Sequence, residues 1–144
     1  MTHVIIVEVT DTGGHLVTDT ITVTVSDAPV AESMSVADLD GSFANGGRGG
    51  KWSATVTVTV NDNVGDSVSG ATISGDWSNG AKGSASCTTD GAGQCSVSKG
   101  GLKSNAGSAT FTVTGIAGSL PYSSSDNSDP DGDSDGTVII IAKP

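Results

Sequence analysis

Between residues 51 and 60 apolar and polar side chains alternate strictly. Trp52, Ala54, Val56, Val58 and Val60 share one parity, and Ser53, Thr55, Thr57 and Thr59 share the other. Successive side chains of a strand point to opposite faces, so the pattern predicts a strand with one buried face and one hydroxyl-rich face. It reads as the central core strand of a β-sandwich. Two earlier runs, residues 3–9 and 18–25, flank the turn cluster Asp11-Thr12-Gly13-Gly14-His15 and predict a β-hairpin. Residues 26–32, with Pro29, read as an extended linker. Downstream, residues 33–40 alternate weakly and predict a first strand, and residues 41–50 predict a glycine-rich loop. Residues 61–67 read as a turn, and 68–77 as a strand interrupted by Gly70 and Gly75. Residues 84–98 read as a hairpin, 108–114 as a strand with Ala109, Phe111 and Val113 on one face, and 137–142 as the closing strand. Short strands punctuated by Gly, Asn, Asp and Ser mark an all-β sandwich. The expected organisation is an additional N-terminal β-hairpin over 1–28 and a β-sandwich over 29–144.

Composition strengthens this picture. The chain has 144 residues with 21 Gly and only five aromatic Phe, Trp and Tyr side chains. The residues that favour helices are scarce, while β-branched Val and Thr are common. With so few large side chains, short Val and Ile strands must supply the burial, at roughly 25 cal/mol per Å² of apolar area. A core this thin needs a staple. A lone hairpin is marginal in water, so the N-terminal one must pack on the following domain or add its strands to another chain.

Sixteen acidic residues against six basic ones give a formal net charge of −10. A chain that cannot neutralise a run of phosphates is not a nucleic-acid binder, and anionic membranes are excluded by the same sign. No apolar run is long enough to span a bilayer; Val138-Ile139-Ile140-Ile141-Ala142 suits a buried strand. The abrupt start in strand-like sequence is what a fragment of a longer protein is expected to show.

Four sets of residues are candidates for chemistry. Cys87 and Cys95 flank seven residues. If Thr89 pairs with Gly93 across a three-residue turn, the two cysteines face one another at a separation that suits a disulfide. A metal or redox pair is the alternative, but there is no CxxC, no other Cys and no nearby His. Secondly, Asp126, Asp129, Asp131, Asp133 and Asp135 alternate through a glycine-containing loop. Such spacing presents hard oxygen ligands around one centre, and DxDxDG resembles thrombospondin type 3 and EF-hand calcium loops. The bidentate Glu that ends an EF-hand loop is missing, and Asp38, Asp40 or Asp62 from a neighbouring loop would complete the shell. The other open reading is a solvated acidic connection held by Asx turns. Thirdly, Trp77, at a strand end beside Asp76 and Asn79, is the better of two tryptophans for an exposed sugar-stacking platform, with Tyr122 beside it; structural support is the other reading of Trp77, and Trp52 reads as core. Lastly, His3 and His15 have no Ser, Cys or carboxylate at motif spacing, and neither GxSxG nor HExxH occurs. The residues therefore point away from an enzyme.

The motif VNDNVGDSVSGATISG followed by TTDGAGQCSVS resembles the bacterial Ig-like domains of the invasin and intimin type, over roughly residues 33–144. DLDG, WSATVTVTV, CTTDGAGQC and DPDGDSDG occur in the order of Ig-like modules found late in large secreted bacterial proteins. The first segment, with its VTDTITVTV, resembles the C-terminal hairpin of a PKD-type or related repeat. The resemblance implies an Ig-like β-sandwich that is secreted or cell-surface and non-catalytic. Its expected partners are neighbouring Ig-like domains or copies of itself, in a spacer, stalk or fibre. The alternative is a polysaccharide-binding accessory module of a secreted hydrolase.

Overall fold

The computed structural model describes residues 2–46 and 49–143. The chain divides into two compact units, Met1–Val30 and Ala31–Pro144, two residues beyond the expected boundary. The first is a two-stranded antiparallel ribbon. Strands β1 (Thr2–Thr10) and β2 (Leu16–Thr24) pair along their whole length, from Thr2↔Thr24 to Thr10↔Leu16. The turn is held by Asp11, whose Oδ1 accepts the N–H groups of Gly13 (2.7 Å) and His15 (2.9 Å). Those two donors hold its carboxyl below the usual carboxylate range. Pairing puts Ile5 opposite Ile21 and Val9 opposite Val17 on one face, with Val7, opposite Asp19, between these pairs and Val23, opposite His3, beyond them. Two strands offer no second layer of their own to cover that face.

The second unit is a sandwich of two antiparallel sheets. One has the order β3-β4-β7, from Met34–Asn45, Trp52–Asp62 and Gln94–Leu102. The other has the order β6-β5-β8-β9, from Gly83–Thr88, Thr72–Ser78, Ser108–Ala117 and Val138–Ala142. The alternation of β4 is realised in full: Trp52, Ala54, Val56, Val58 and Val60 are buried and the residues between them are not. They pack on Ile73, Trp77, Phe111, Val113, Ile139 and Ile141 of the opposite sheet. The outward hydroxyls of β4 are not idle. Thr55 and Thr57 Oγ1 hydrogen-bond Ser98 and Ser96 Oγ across the pair with β7, at 2.8 and 3.0 Å.

Two expectations need correction. Residues 41–45 are strand, not loop, because β3 continues along β4 as far as Asn45↔Trp52. Gly41 lies within this strand where a Cβ would stand 3.0 Å from Ile139 Cδ1 and 3.1 Å from Ile141 Cγ1, so its hydrogen lets β3 pass close to β9. The remainder of that expected loop includes Gly47 and Arg48, which lie outside the described residues. The segment 84–98 is not a hairpin: β6 pairs with β5 and β7 pairs with β4, in different sheets. Cys87 and Cys95 do form a disulfide, with Cα atoms 5.8 Å apart. It therefore ties the edge of one sheet to the edge of the other and closes that flank of the sandwich. On the opposite flank β3 and β9 lie alongside each other.

Candidate metal centre

The acidic segment between β8 and β9 is laced onto the start of β3. Opposite β4, β3 carries a bulge between Val36 and Asp38. A bulged strand leaves ladder groups unpaired and re-aims side chains. Val36 N–H donates to Asn127 Oδ1 (3.0 Å), and Val36 carbonyl accepts from Ser128 N–H (2.9 Å). Ser128 Oγ donates to the carbonyl of Ala37 (3.1 Å). Asn127 Nδ2 also reaches Tyr122 Oη (2.8 Å) and Thr137 Oγ1 (3.0 Å), so one amide joins β3, the segment and the approach to β9. Gly136, at φ +77°, packs against this hub; a Cβ there would lie 2.9 Å from Ser128 N and O.

With the segment anchored, carboxylates from two elements meet. Single oxygens of Asp38, Asp129 and Asp131 lie within 4.8 Å of one another, and so do those of Asp40, Asp131 and Asp133. Asp131 belongs to both groups. Asp129 Oδ2 accepts Ser134 N–H (2.6 Å), Asp131 Oδ1 accepts Asp133 N–H (3.3 Å), and Asp133 Oδ2 accepts Gly41 N–H (3.4 Å). Asp38 Oδ1 and Asp129 Oδ1 are buried and accept from no N–H or hydroxyl donor, so in the absence of a cation the two carboxyls are paired only through a proton carried by Asp38. An unpaired buried carboxylate oxygen is costly, and a cation is one of the few groups that offsets it.

The electrostatics follow from this crowding. Burial pushes the Asp38 carboxyl up to about 6, and the neighbouring carboxylates of Asp129, Asp40 and Asp131 add to the shift. Burial raises Asp133 as well, partly offset by the Gly41 N–H. Asp129 moves the other way, because the Ser134 N–H stabilises its charged form. The donor set, all carboxylate oxygens with backbone turns around them, suits a hard divalent cation such as calcium.

Of the five loop residues expected as ligands, Asp129, Asp131 and Asp133 converge, joined by Asp38 and Asp40 from β3. Asp126 lies in a single turn of 3-10 helix, Ser124–Asp126, and belongs to neither group. Asp135 Oδ1 accepts the N–H groups of Thr137 and Val138 (2.8 and 2.6 Å) and acts as a turn residue. Asp62 caps its own turn, accepting from Val64 and Asp66 N–H. Asn127 and Ser128, which set the geometry, carry no sequence signal that marks them out from the surrounding turn residues.

Trp77, the candidate for a sugar-stacking platform, is buried, in line with its other reading as structural support. It is 4% exposed and its ring lies 5.0 Å from that of Phe111. Ile73, Gly75 and Trp77 share the inward parity of β5, so the indole enters the core and offers no sugar-stacking face. Tyr122 is half-buried, with its hydroxyl held by Asn127. His15 sits in the ribbon turn, its Nδ1 3.2 Å from Asp11 Oδ2. No protein-family model matches the chain, and neither a curated protein nor a solved structure does. Among the described residues no helix is long and apolar enough to cross a membrane.

Proposed function

We propose that the chain is a non-catalytic, extracellular structural or assembly module: an Ig-like β-sandwich preceded by the hairpin of a neighbouring repeat, serving as a spacer, stalk or fibre subunit of a secreted or surface protein. The observation that carries this reading is the N-terminal ribbon. It forms a complete nine-pair ladder, yet it has apolar residues Ile5, Val7, Val9, Val17, Ile21 and Val23 on one face and no layer of its own beneath them. Such a ribbon is completed by adding to a neighbouring domain or to another copy, where main-chain hydrogen bonds give affinity and the apolar face gives register. The inter-sheet disulfide supports an oxidising destination. The buried Trp77 favours this reading over a polysaccharide-binding accessory module.

Calcium belongs to the same reading. Asp38, Asp129 and Asp131 would hold one ion, with Asp40 and Asp133 extending the site through Asp131. The ion would lock the acidic segment onto β3 and stiffen one end of the sandwich. Isothermal titration of the chelator-treated chain should show calcium binding that Asp131→Asn abolishes. For the ribbon, Ile5→Asp/Ile21→Asp in the full chain places two charges on the apolar face. Light scattering should show loss of higher-order association, or of binding to a preceding repeat supplied in trans. Unchanged association would remove the ribbon from the assembly.

A further inference from the structure

The sandwich unit separates its charges by end. The loops at one end are those after β3, after β5 and after β7, together with the residue following β9. They and the adjoining strand ends carry Lys51, Lys82, Lys99, Lys103 and Lys143, which are all the lysines of the chain. No Asp or Glu occurs at residues 46, 49–51, 79–83, 99–107 or 143. The opposite end carries Asp62 at the end of β4, Asp66 in the turn after it, Asp90 in the turn after β6 and Asp126 after β8, and the acidic surface continues onto the β3–β9 flank, where Asp131 and Asp133 lie beside Asp40 and Gly41. No Lys or Arg occurs at residues 61–71, 89–93 or 118–137.

The basic end is a fixed surface. Trp52 Nε1 donates to the carbonyl of Lys103 (3.3 Å). Lys143 N–H donates to the carbonyl of Gly107 (3.0 Å), and its Nζ donates to that of Ser104 (2.6 Å). Gly80 packs so tightly on the β7–β8 loop that a Cβ would lie 2.5 Å from Ser108 O. These contacts frame a groove of ≈ 600 Å³ lined by Lys82, Lys99 and Lys103 among glycines and Leu102. None of the three lysines has a carboxylate partner among the described residues; the ion pair found there is His15–Asp11. Asp76, on β5 opposite Ser84, lines a different groove with Ser74 and Thr114.

An acidic chain that gathers its unpaired lysines around one groove is built to meet an anion. The same chain presents an anionic surface that begins at the far end of the same unit with Asp62, Asp66, Asp90 and Asp126 and runs onto the β3–β9 flank. We infer that the lysine groove of one copy receives the acidic end of a second copy, so that sandwiches join head to tail. Such a contact is heterologous and leaves one free groove and one free acidic end at the two ends of every assembly, which extends a linear fibre. Net repulsion between copies acts over long range and is screened beyond about 8 Å at physiological salt, while opposite charges in contact are screened less. The inference deepens the assembly reading above but uses different residues from the ribbon.

Complementation tests it, on the full chain. Lys82→Glu/Lys103→Glu spoils only the groove, and Asp66→Lys/Asp126→Lys, at exposed positions outside the candidate metal centre, spoils only the acidic end. Sedimentation in about 0.1 M salt should show the wild type in concentration-dependent oligomers that dissociate in about 1 M salt. Each variant alone should be monomeric, and their mixture should recover the oligomers, because the reversed groove and the reversed end carry opposite charges and pair as the native ones do. Lys82→Gln/Lys103→Gln should weaken association at least about tenfold, whereas Ser42→Asp/Ser86→Asp, with the same change in net charge, should not. Circular dichroism of each variant verifies folding. A wild type that stays monomeric near 1 mM, or variants that associate like it, would overturn the inference. So would a groove that binds soluble polygalacturonate with no self-association. Association lost in Ile5→Asp/Ile21→Asp but kept in both charge variants would overturn it while leaving the ribbon's role intact.

Discussion

At Gly75 a side chain has nowhere to go. The residue faces inward on β5, and a Cβ would overlap Phe111 Cζ and lie 2.6 Å from the Thr112 carbonyl. Overpacking typically costs about 1–3 kcal/mol, and here one obstacle is backbone, so Gly75→Ala should lose at least about 2 kcal/mol in urea unfolding. Thr89 makes a different demand. Its buried Oγ1 accepts Ala71 N–H (2.9 Å) and donates to Val68 O (2.7 Å). Thr89→Val keeps the shape and orphans both groups, at a cost of about 1–3 kcal/mol. Asp38 gives a pH signature. Its folded carboxyl titrates near 6, above the unfolded value of about 3.9. The folded state then holds the proton more tightly, so this contribution is full below pH 4 and is lost as pH rises towards 6 and beyond. In chelator-treated protein, Asp38→Asn should flatten the fall in melting temperature across that window. Strict parity made Trp52 legible as core, since five inward positions agree. Trp77 was less legible, because Gly70 and Gly75 break the run and β5 begins only at Thr72.

Strands were readable one at a time; their partners were not. Alternation and turn residues located β1, β2, β4, β8 and β9 closely, because a half-buried strand writes its own period into the sequence. Nothing local states that β6 and β7, joined by the short turn at Asp90–Gly93, leave for different sheets. That follows from β4 and β5 each needing another neighbour. The disulfide was legible as a bond and misread as a rung within a hairpin, and its position changes what it does. Reducing it, or Cys87→Ser/Cys95→Ser, should cost about 2.5 kcal/mol from loop closure alone. Both strands keep their ladders, β6 on β5 and β7 on β4. Far-UV dichroism should therefore persist while the denaturation midpoint falls, and amides of β6 and β7 should exchange faster than those of β4.

At the scale of the whole molecule, net charge was plain from composition but its arrangement was not. The lysines are scattered from 51 to 143 along the chain and meet only because the sandwich topology returns those loops to one end. The candidate metal centre was half legible for the same reason. The Asp repeat announced itself and DLDG offered Asp38 and Asp40 as its complement, whereas the bulge at Ala37 that turns Asp38 towards the repeat is a tertiary feature. Concentrated acid at one end strains the metal-free fold, and two remedies predict different melting behaviour. Screening is indifferent to the cation's identity: the Debye length falls from about 10 Å at 0.1 M to about 3 Å at 1 M salt, and any salt relieves repulsion. A site is selective. Calcium at about a hundredfold over its dissociation constant would add about 2.7 kcal/mol to the folded state, saturably. Magnesium, which demands tight octahedral geometry and sheds water reluctantly, would add less. Calcium should thus raise the melting temperature by several degrees above sodium chloride or magnesium at matched ionic strength. Asp131→Asn, which touches both carboxylate groups, should erase the calcium increment and keep most of the salt increment. Equal shifts from calcium and sodium chloride at matched ionic strength would reduce the acidic end to a screened surface and leave its convergence on β3 a matter of folding alone.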